Sequence, residues 1–499
     1  MKNIFKYLTI LVITLGLSSC SDYLDINDPV NDPSASTVTP DLILAGAMTR
    51  TYSAQGVTMN RLGNVFMNNW SANVNSFTGG FNEEYQLILS SNFYSAIWDN
   101  TYLRVKNFDL IIDSEFLNYE NHKAIAKIMK SFYMQYIVDL YGDCPYSQAF
   151  DLETSTPAYD NDQAIYRSLI TEIDGAIDLI NNNTVTTLPV GEEDVIFDGD
   201  MSMWVKMANT LKLRILMRQA TLAETDGETA TYLNEQFANL DQDFLTTSAV
   251  VQPGYNNNEG LQNPFYSTHG FDTAGNMTTT NRFIRASQYA QEFLDGTLTG
   301  VTDQRITSIY APIPGATTPT GVVGVDQDID SGDPNIPAEI SGLGTGLIID
   351  SSQDGYIMLA AESYFLQAEA AFRGYISGDA KALFQSGIMA SFAHYGLDGT
   401  AYITQSNTVP ELGWDGSSNK IEAIMTQKWI ATNGINGIES WVEYVRTGYP
   451  DVPLAQSAQR PTKPNRLMYP ASELVGNAAN VPNQTQNDAF TTKIFWDNN

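Results

Sequence analysis

Three observations predict a mainly α-helical chain: an irregular, tetratricopeptide-like scaffold of stacked helix pairs with long loop insertions and little β structure. Apolar residues recur at three-to-four spacing over several separate stretches, the signature of helices with one buried face. One such stretch carries Ala360, Ala361, Ala368, Ala370 and Ala371, small residues that let a second helix approach closely, as in stacked helical repeats. Long runs rich in Gly, Pro, Asn, Thr and Asp separate the periodic stretches and carry no period of their own. A clean repeat of roughly 34 residues is missing, so the array is irregular.

In chain order, Leu42, Leu44, Ala45, Met48 and Thr49 behind Thr39-Pro40 predict a first helix from Asp41. Residues 91–139 predict a helical hairpin, with Phe93, Ile97, Tyr102, Val105 and Phe108 on one arm and Ile125, Met129, Phe132, Tyr136 and Leu140 on the other. It breaks at Asn118–Lys123 and stops at Tyr141-Gly142-Asp143. Further helices are expected at 161–181, 201–221 and 353–373. Phe384–Tyr395 pairs with the last of these, and Ile421–Thr432 and Ile438–Arg446 follow. Insertions are expected near 56–90, 245–280 and 300–350, and the Pro- and Asn-rich 447–499 stretch reads as an outer wrap.

The N-terminus has Lys2 and Lys6 before an apolar run from Leu8 to Leu17, too short to span a bilayer, so 1–19 reads as a signal peptide. Leu17-Ser18-Ser19-Cys20 resembles a bacterial lipobox, which implies that Cys20 becomes the first mature residue and carries lipid. Ordinary cleavage beside an incidental cysteine is the alternative. Residues 20–499 then form a single binding domain behind an Asp-, Asn- and Pro-rich tether. The formal charge is −31, from 26 basic and 57 acidic residues, and no basic patch is visible. Such a surface repels nucleic acid and anionic lipid heads, so no nucleic-acid partner is expected. Two cysteines exclude a disulfide framework, and Cys144 reads as a small buried residue.

The motifs of zinc proteases, serine hydrolases and phosphate-binding loops are absent. The three histidines, His122, His269 and His394, form no motif, and no catalytic residue or metal site is assigned. A glycosidase needs only two facing carboxylates, which spacing alone does not locate among 57 acids. Glu362 and Glu369, two turns apart, read as surface or network residues. Asp326-Gln327-Asp328-Ile329-Asp330-Ser331-Gly332-Asp333 alternates oxygens as a calcium loop does. Its glycine comes one place late and Pro337 replaces the closing Glu, so it reads as a solvated acidic loop, with bound calcium as the alternative and no other cofactor.

Aromatics in the insertions carry more information. Trp70, Phe77, Phe81 and Tyr85 interleave with Asn68, Asn69, Asn73, Asn75 and Asn82. Tyr255, Phe265, Tyr266 and Phe271 interleave with Asn256, Asn257, Asn258 and Asn263. Aromatic faces match the C–H face of a sugar ring, and amides serve its hydroxyls. Trp70, Phe77, Phe81, Tyr85, Tyr266 and Phe271 are therefore the candidate ligand-binding residues, against the alternative that they pin the loops to the scaffold.

Several longer stretches point one way together. They are Cys20-Ser-Asp-Tyr-Leu-Asp, the helix from Lys130 ending in Tyr141-Gly-Asp-Cys-Pro-Tyr146, and Trp204-Val-Lys-Met-Ala-Asn-Thr-Leu-Lys-Leu-Arg214. Ala361-Glu-Ser-Tyr-Phe-Leu-Gln-Ala-Glu-Ala370, Gln427-Lys-Trp-Ile-Ala431 and Arg446-Thr-Gly-Tyr-Pro450 complete the set. Taken in order, they make the chain resemble, nearly end to end, the SusD/RagB family of outer-membrane lipoproteins from Bacteroidota. The resemblance implies a non-enzymatic surface protein, anchored to the cell outer membrane through its N-terminal lipid. It would bind oligosaccharide or polysaccharide and deliver it to a SusC-like TonB-dependent transporter. The matching motifs are scaffold, so no binding residue is carried over. A peptide or glycoprotein importer on the same scaffold is the first alternative. A glycoside hydrolase and a purely structural surface protein are the others.

Overall fold

The structure is a computed structural model that describes residues 38–72, 80–151, 153–328 and 337–499. Cys20 and the rest of the leader, Phe77, Asn73, Asn75 and most of the acidic run after Asp328 lie outside the described residues.

Helices α1 (Pro40–Ser53) and α2 (Asn60–Phe66) are joined by a π-helical segment at Ala54–Met59. Then follow α3 (Ala96–Ile112), α4 (Glu120–Tyr141), α5 (Asp162–Asn181), α6 (Met201–Arg218), α7 (Gly227–Ala238) and α8 (Pro264–His269). The last four are α9 (Ala360–Phe372), α10 (Ala380–His394), α11 (Lys420–Thr432) and α12 (Gly437–Thr447). Other short helices are given by residue range. Two small antiparallel sheets complete the fold: β1 (Trp70–Ala72) with β3 (Ile284–Ala286), and β2 (Ala249–Val251) with β4 (Gly355–Met358).

Side-chain caps set many helix starts. Asn161 accepts the Ala164 N–H, Asp200 those of Ser202 and Met203, Asp226 that of Thr229, and Asp379 those of Lys381 and Ala382. Helix α4 is the axis of the base, buried on all sides from Ile128 to Tyr141 apart from Lys130, as expected of a central core helix. It packs on α3 and α5, α9 packs on α10, and α11 packs on α12. The α3–α4 hairpin and the α9–α10 pair are the ones the periodicity predicts.

A buried ionic network ties the pairs together. Arg218 of α6 meets Asp139 of α4 at 3.2 Å, and Glu439 and Glu443 of α12 at 2.7 and 2.5 Å. Lys428 of α11 contacts Glu443 at 2.7 Å, Arg446 contacts Glu369 of α9 at 2.7 Å, and Arg214 reaches Glu362 at 3.3 Å. Burial alone would raise the Glu439 pKa, but Arg218, Arg214 and Lys428 bring it down to about 2. Losing one member leaves an unpaired buried charge, which costs about 3–5 kcal/mol, so the network fixes how these helices are seated. Glu362 and Glu369 are network residues and not surface ones, each with 0% exposure.

The first insertion is fixed to this base by a backbone contact. A Cβ on Gly63 of α2 would lie 2.1 Å from the carbonyl carbon of Gly437, where α12 begins. Asn60 and Asn64 close the junction: Asn60 donates to the Gly434 carbonyl at 2.9 Å and accepts the Gly437 N–H at 2.8 Å, and Asn64 accepts the Gly434 N–H at 2.9 Å.

Three details differ from expectation. The segment 353–373 is helical only from Ala360, because Gly355–Met358 pairs with β2. Residues 56–90 open with the buried helix α2 in place of a loop. The C-terminal stretch wraps inward as well as outward: Trp496 has 0% exposure and donates to Asp139 at 3.1 Å.

Two measurements follow from this packing. Gly63→Ala forces two backbones apart and is expected to cost about 1–3 kcal/mol or more, read as a lower urea midpoint with an unchanged slope. His269 of α8 is fully buried against Trp70 and Phe265, with ring centroids at 5.4 and 4.8 Å, and neither ring nitrogen has a hydrogen-bond partner among the described residues. Burial, and then the Arg61 charge, push its pKa down to about 3. The unfolded histidine titrates near pH ~6.5, so the unfolded state binds more protons between those values and stability falls as pH drops through that window. His269→Phe removes this contribution. Between pH 7.5 and pH 5 the variant is expected to lose about 2 kcal/mol less stability than the parent protein, His394 titrating alike in both. Equal losses would contradict the neutral, buried assignment.

Candidate ligand-binding face

The three insertions converge. Strand β1, from the first, pairs with β3, just beyond the second, in the register Trp70↔Ala286, Ser71↔Arg285 and Ala72↔Ile284. The third joins through the bridge Ser287↔Val325 and through the Ala286 N–H, which donates to the Ser341 carbonyl at 2.8 Å, and the bridge Tyr310↔Leu343 closes it on itself. The Tyr310 hydroxyl donates to the Asn69 carbonyl at 2.7 Å, and the Gln327 amide to the Val65 and Trp70 carbonyls at 2.8 and 2.7 Å. Segments far apart in sequence thus form one hydrogen-bonded layer on the helical base.

The candidate aromatics separate into two groups. Trp70, Phe81 and Tyr85 are 0%, 3% and 1% exposed, so they offer no ring face to a solute. Trp70 packs on Phe265 and His269, Phe81 on Phe283 at 4.8 Å, and Tyr85 shares a hydrogen bond with Ser71 at 3.0 Å. The alternative role weighed for them, pinning loops to the scaffold, is the one their burial fits. Tyr266 and Phe271 are half-buried, with ring centroids 6.1 Å apart. Phe77 lies outside the described residues. The amides divide likewise. Asn263 is buried, caps α8 by accepting the Phe265 and Tyr266 N–H groups, and donates to the Gln353 carbonyl. Asn256, Asn257 and Asn258 sit near the surface.

Beside Phe271 lies a cleft of about 280 Å³, walled by Met277, Ile313, Ile340, Leu343 and Ile348, with Asn281, Arg285 and Thr345 as its polar side chains. Apolar walls with a few polar groups are the usual make-up of a small-ligand site. On the far side of the 345–349 strip a cavity of about 20 Å³, bounded by Tyr52, Phe265, Tyr356 and His394, has room for one water. A hollow of about 710 Å³ lies on the helical base between α10 and Thr400–Ser406, lined by Tyr364, Gln385, Met389 and Ile403 among others, with no charged group. Sequence reasoning did not find Arg285. No motif surrounds it, and its position follows only from the pairing of β3 with β1. Among the described residues no cluster of His, Cys, Asp and Glu could hold a metal ion, and no helix is long and apolar enough to cross a membrane.

Comparisons with known proteins agree with this architecture. Residues 31–470 match the SusD-like family described as "starch-binding associating with outer membrane". Among solved structures, the chain is similar to a chitin-binding SusD homolog from Flavobacterium johnsoniae, with TM-score 0.71, 24% identity, and coverage of 91% of this chain and 99% of that one. It is also similar to a SusD homolog from Parabacteroides distasonis, with TM-score 0.74, 20% identity, and coverage of 93% and 98%. A SusD/RagB family protein from Bacteroides thetaiotaomicron gives TM-score 0.69, 20% identity, and coverage of 92% and 99%. A search of curated proteins gives no match. The mainly helical scaffold is the fold of these solved structures, and the family is one of non-catalytic binding proteins. With the match spanning most of its length, the chain belongs to the SusD-like family of starch-binding proteins that associate with the outer membrane.

Proposed function

We propose that this protein is a cell-surface lipoprotein that binds oligosaccharide and delivers it to a SusC-like TonB-dependent transporter in the outer membrane. The observation that carries the reading is the family match over 31–470, with its description of starch binding at the outer membrane. The chitin-binding relative from Flavobacterium johnsoniae supports a polysaccharide fragment as the class of ligand. Cys20 carries the lipid, and several acyl chains hold the protein on the membrane, since each buried CH₂ contributes about 0.8 kcal/mol. The acidic body would stand off an anionic surface and not adhere to it.

On this reading Tyr266 and Phe271 present ring faces to the sugar, together with Phe77, while Trp70, Phe81 and Tyr85 hold the layer beneath them in place. A layer hydrogen-bonded before ligand arrives loses little entropy on binding. The helical base is left for the transporter. No bond is made or broken in the ligand, so affinity need only be moderate enough for release.

The test is binding of the chain from residue 21 onward to a panel that includes maltooligosaccharides and chitooligosaccharides. Tyr266→Ala and Phe271→Ala are each expected to weaken binding of the retained glycan about tenfold, ~1.4 kcal/mol, with helicity unchanged. Unchanged affinity in both variants would move the site elsewhere. Retention of peptides and of no glycan would overturn the reading in favour of a peptide importer. Cys20→Ala is expected to shift the full-length protein from the membrane fraction to the soluble one, and continued membrane retention would overturn the lipid anchor.

A further inference from the structure

Three arginines buried in the base face carboxylates: Arg214 meets Glu362, Arg218 meets Asp139, Glu439 and Glu443, and Arg446 meets Glu369. In the loop layer Arg305 forks onto Asp303 at 2.6–3.2 Å. Arg285 and the 5%-exposed Arg466 depart from that pattern, but Asp143, Asp162 and Asp488 line the hollow beside Arg466, whereas no carboxylate among the described residues lines the cleft at Arg285. Arg285 is only 6% exposed and lines the 280 Å³ cleft, yet it has no carboxylate partner among the described residues. Its Nη1 donates to the carbonyls of Asn281 and Ile284 at 2.9 and 2.7 Å, and its Nε is buried with no acceptor. Nη2, beside that enclosed Nε, has no acceptor among the described residues and is the donor left to a carboxylate. Burial, with no charge among the described residues to offset it, brings the pKa of Arg285 down to about 10, so it remains a cation at neutral pH. An uncompensated buried cation is costly to a fold, and in a chain of net charge −31 carboxylates are not scarce.

We infer that the cleft at Arg285 is a subsite for one carboxylated sugar residue, a uronic acid, within the bound glycan. The inference rests on the glycan-binding reading and narrows its ligand class. The carboxylate takes the Nη2 end of the guanidinium. Phe271 and Leu343 supply apolar surface for the C–H face of the ring, and the Asn281 amide serves a hydroxyl. The volume is just under the roughly 300 Å³ at which small-ligand clefts begin, which suits one sugar residue and not a chain. The overall negative charge disfavours anions at long range, so the preference for acid comes from this local contact.

Isothermal titration of the chain from residue 21 onward tests this. The probes are oligogalacturonate, oligomannuronate and glucuronoxylan fragments, each beside its carboxyl-reduced counterpart, with neutral maltooligosaccharides and chitooligosaccharides in parallel. At least one acidic probe is expected to bind about tenfold or more tighter than its reduced form. Arg285→Gln is expected to abolish that preference with helicity retained. Met277→Glu is the second variant, placed at a rim residue that is 51% exposed and so tolerant of change. Its carboxylate would occupy or repel at the same cleft and abolish the preference too. Neutral glycans bound with no preference for any acidic probe would overturn the uronate subsite and leave the glycan reading standing. No carbohydrate bound at all would overturn both. A preference that survives both variants would overturn the role of Arg285.

Discussion

The contact of Gly63 with Gly437 is the constraint on which the loop layer depends. Helix α12 is seated by the ionic network through Glu439, Glu443 and Arg446, and Gly437 is its first residue. The backbone of α2 touches it there, at a distance that a side chain would not permit. From α2 the chain passes within a few residues to β1, and β1 pairs with β3. The order set by buried charges in the base thereby reaches the strand that carries Arg285. Each link is short and densely hydrogen-bonded, which is how a binding surface can be held in shape without ligand.

That arrangement gives the two halves of the molecule different chemistry. The base buries its charges and pairs them, so its helices are fixed in position by groups that water does not reach. The layer is built mostly from backbone hydrogen bonds and buried amides, with aromatic rings filling the space between it and the base. Trp70, Phe265 and His269 form that filling beneath Tyr266 and Phe271.

Much of the base was legible in the sequence, since period and capping residues both mark helices. Asn161 and Asp200 begin α5 and α6 within a residue of where the pattern places them. Where apolar residues run on without a break, the period misleads: Gly355–Met358 continues into α9 by composition, and only its pairing with β2 makes it a strand. The loop layer was legible as composition but not as geometry. Trp70 and Ala286 pair across more than two hundred residues, and nothing local to Trp70 distinguishes a buried indole from an exposed one. Arg285 carries no local signal, because what sets it apart is the lack of a carboxylate partner among the described residues, a property of the assembled layer alone.

Native-state hydrogen exchange tests the central claim, that base and layer form one rigid unit before ligand binds. The amides to follow are those of Ala286, Ser287 and Val325, which donate to Ser341, Asn69 and Ala286, against those in the middle of α4. The account predicts opening free energies for the layer within about 1–2 kcal/mol of the α4 core, as for parts of one cooperative unit. Layer amides that exchange as readily as frayed helix ends, while α4 stays protected, would contradict it.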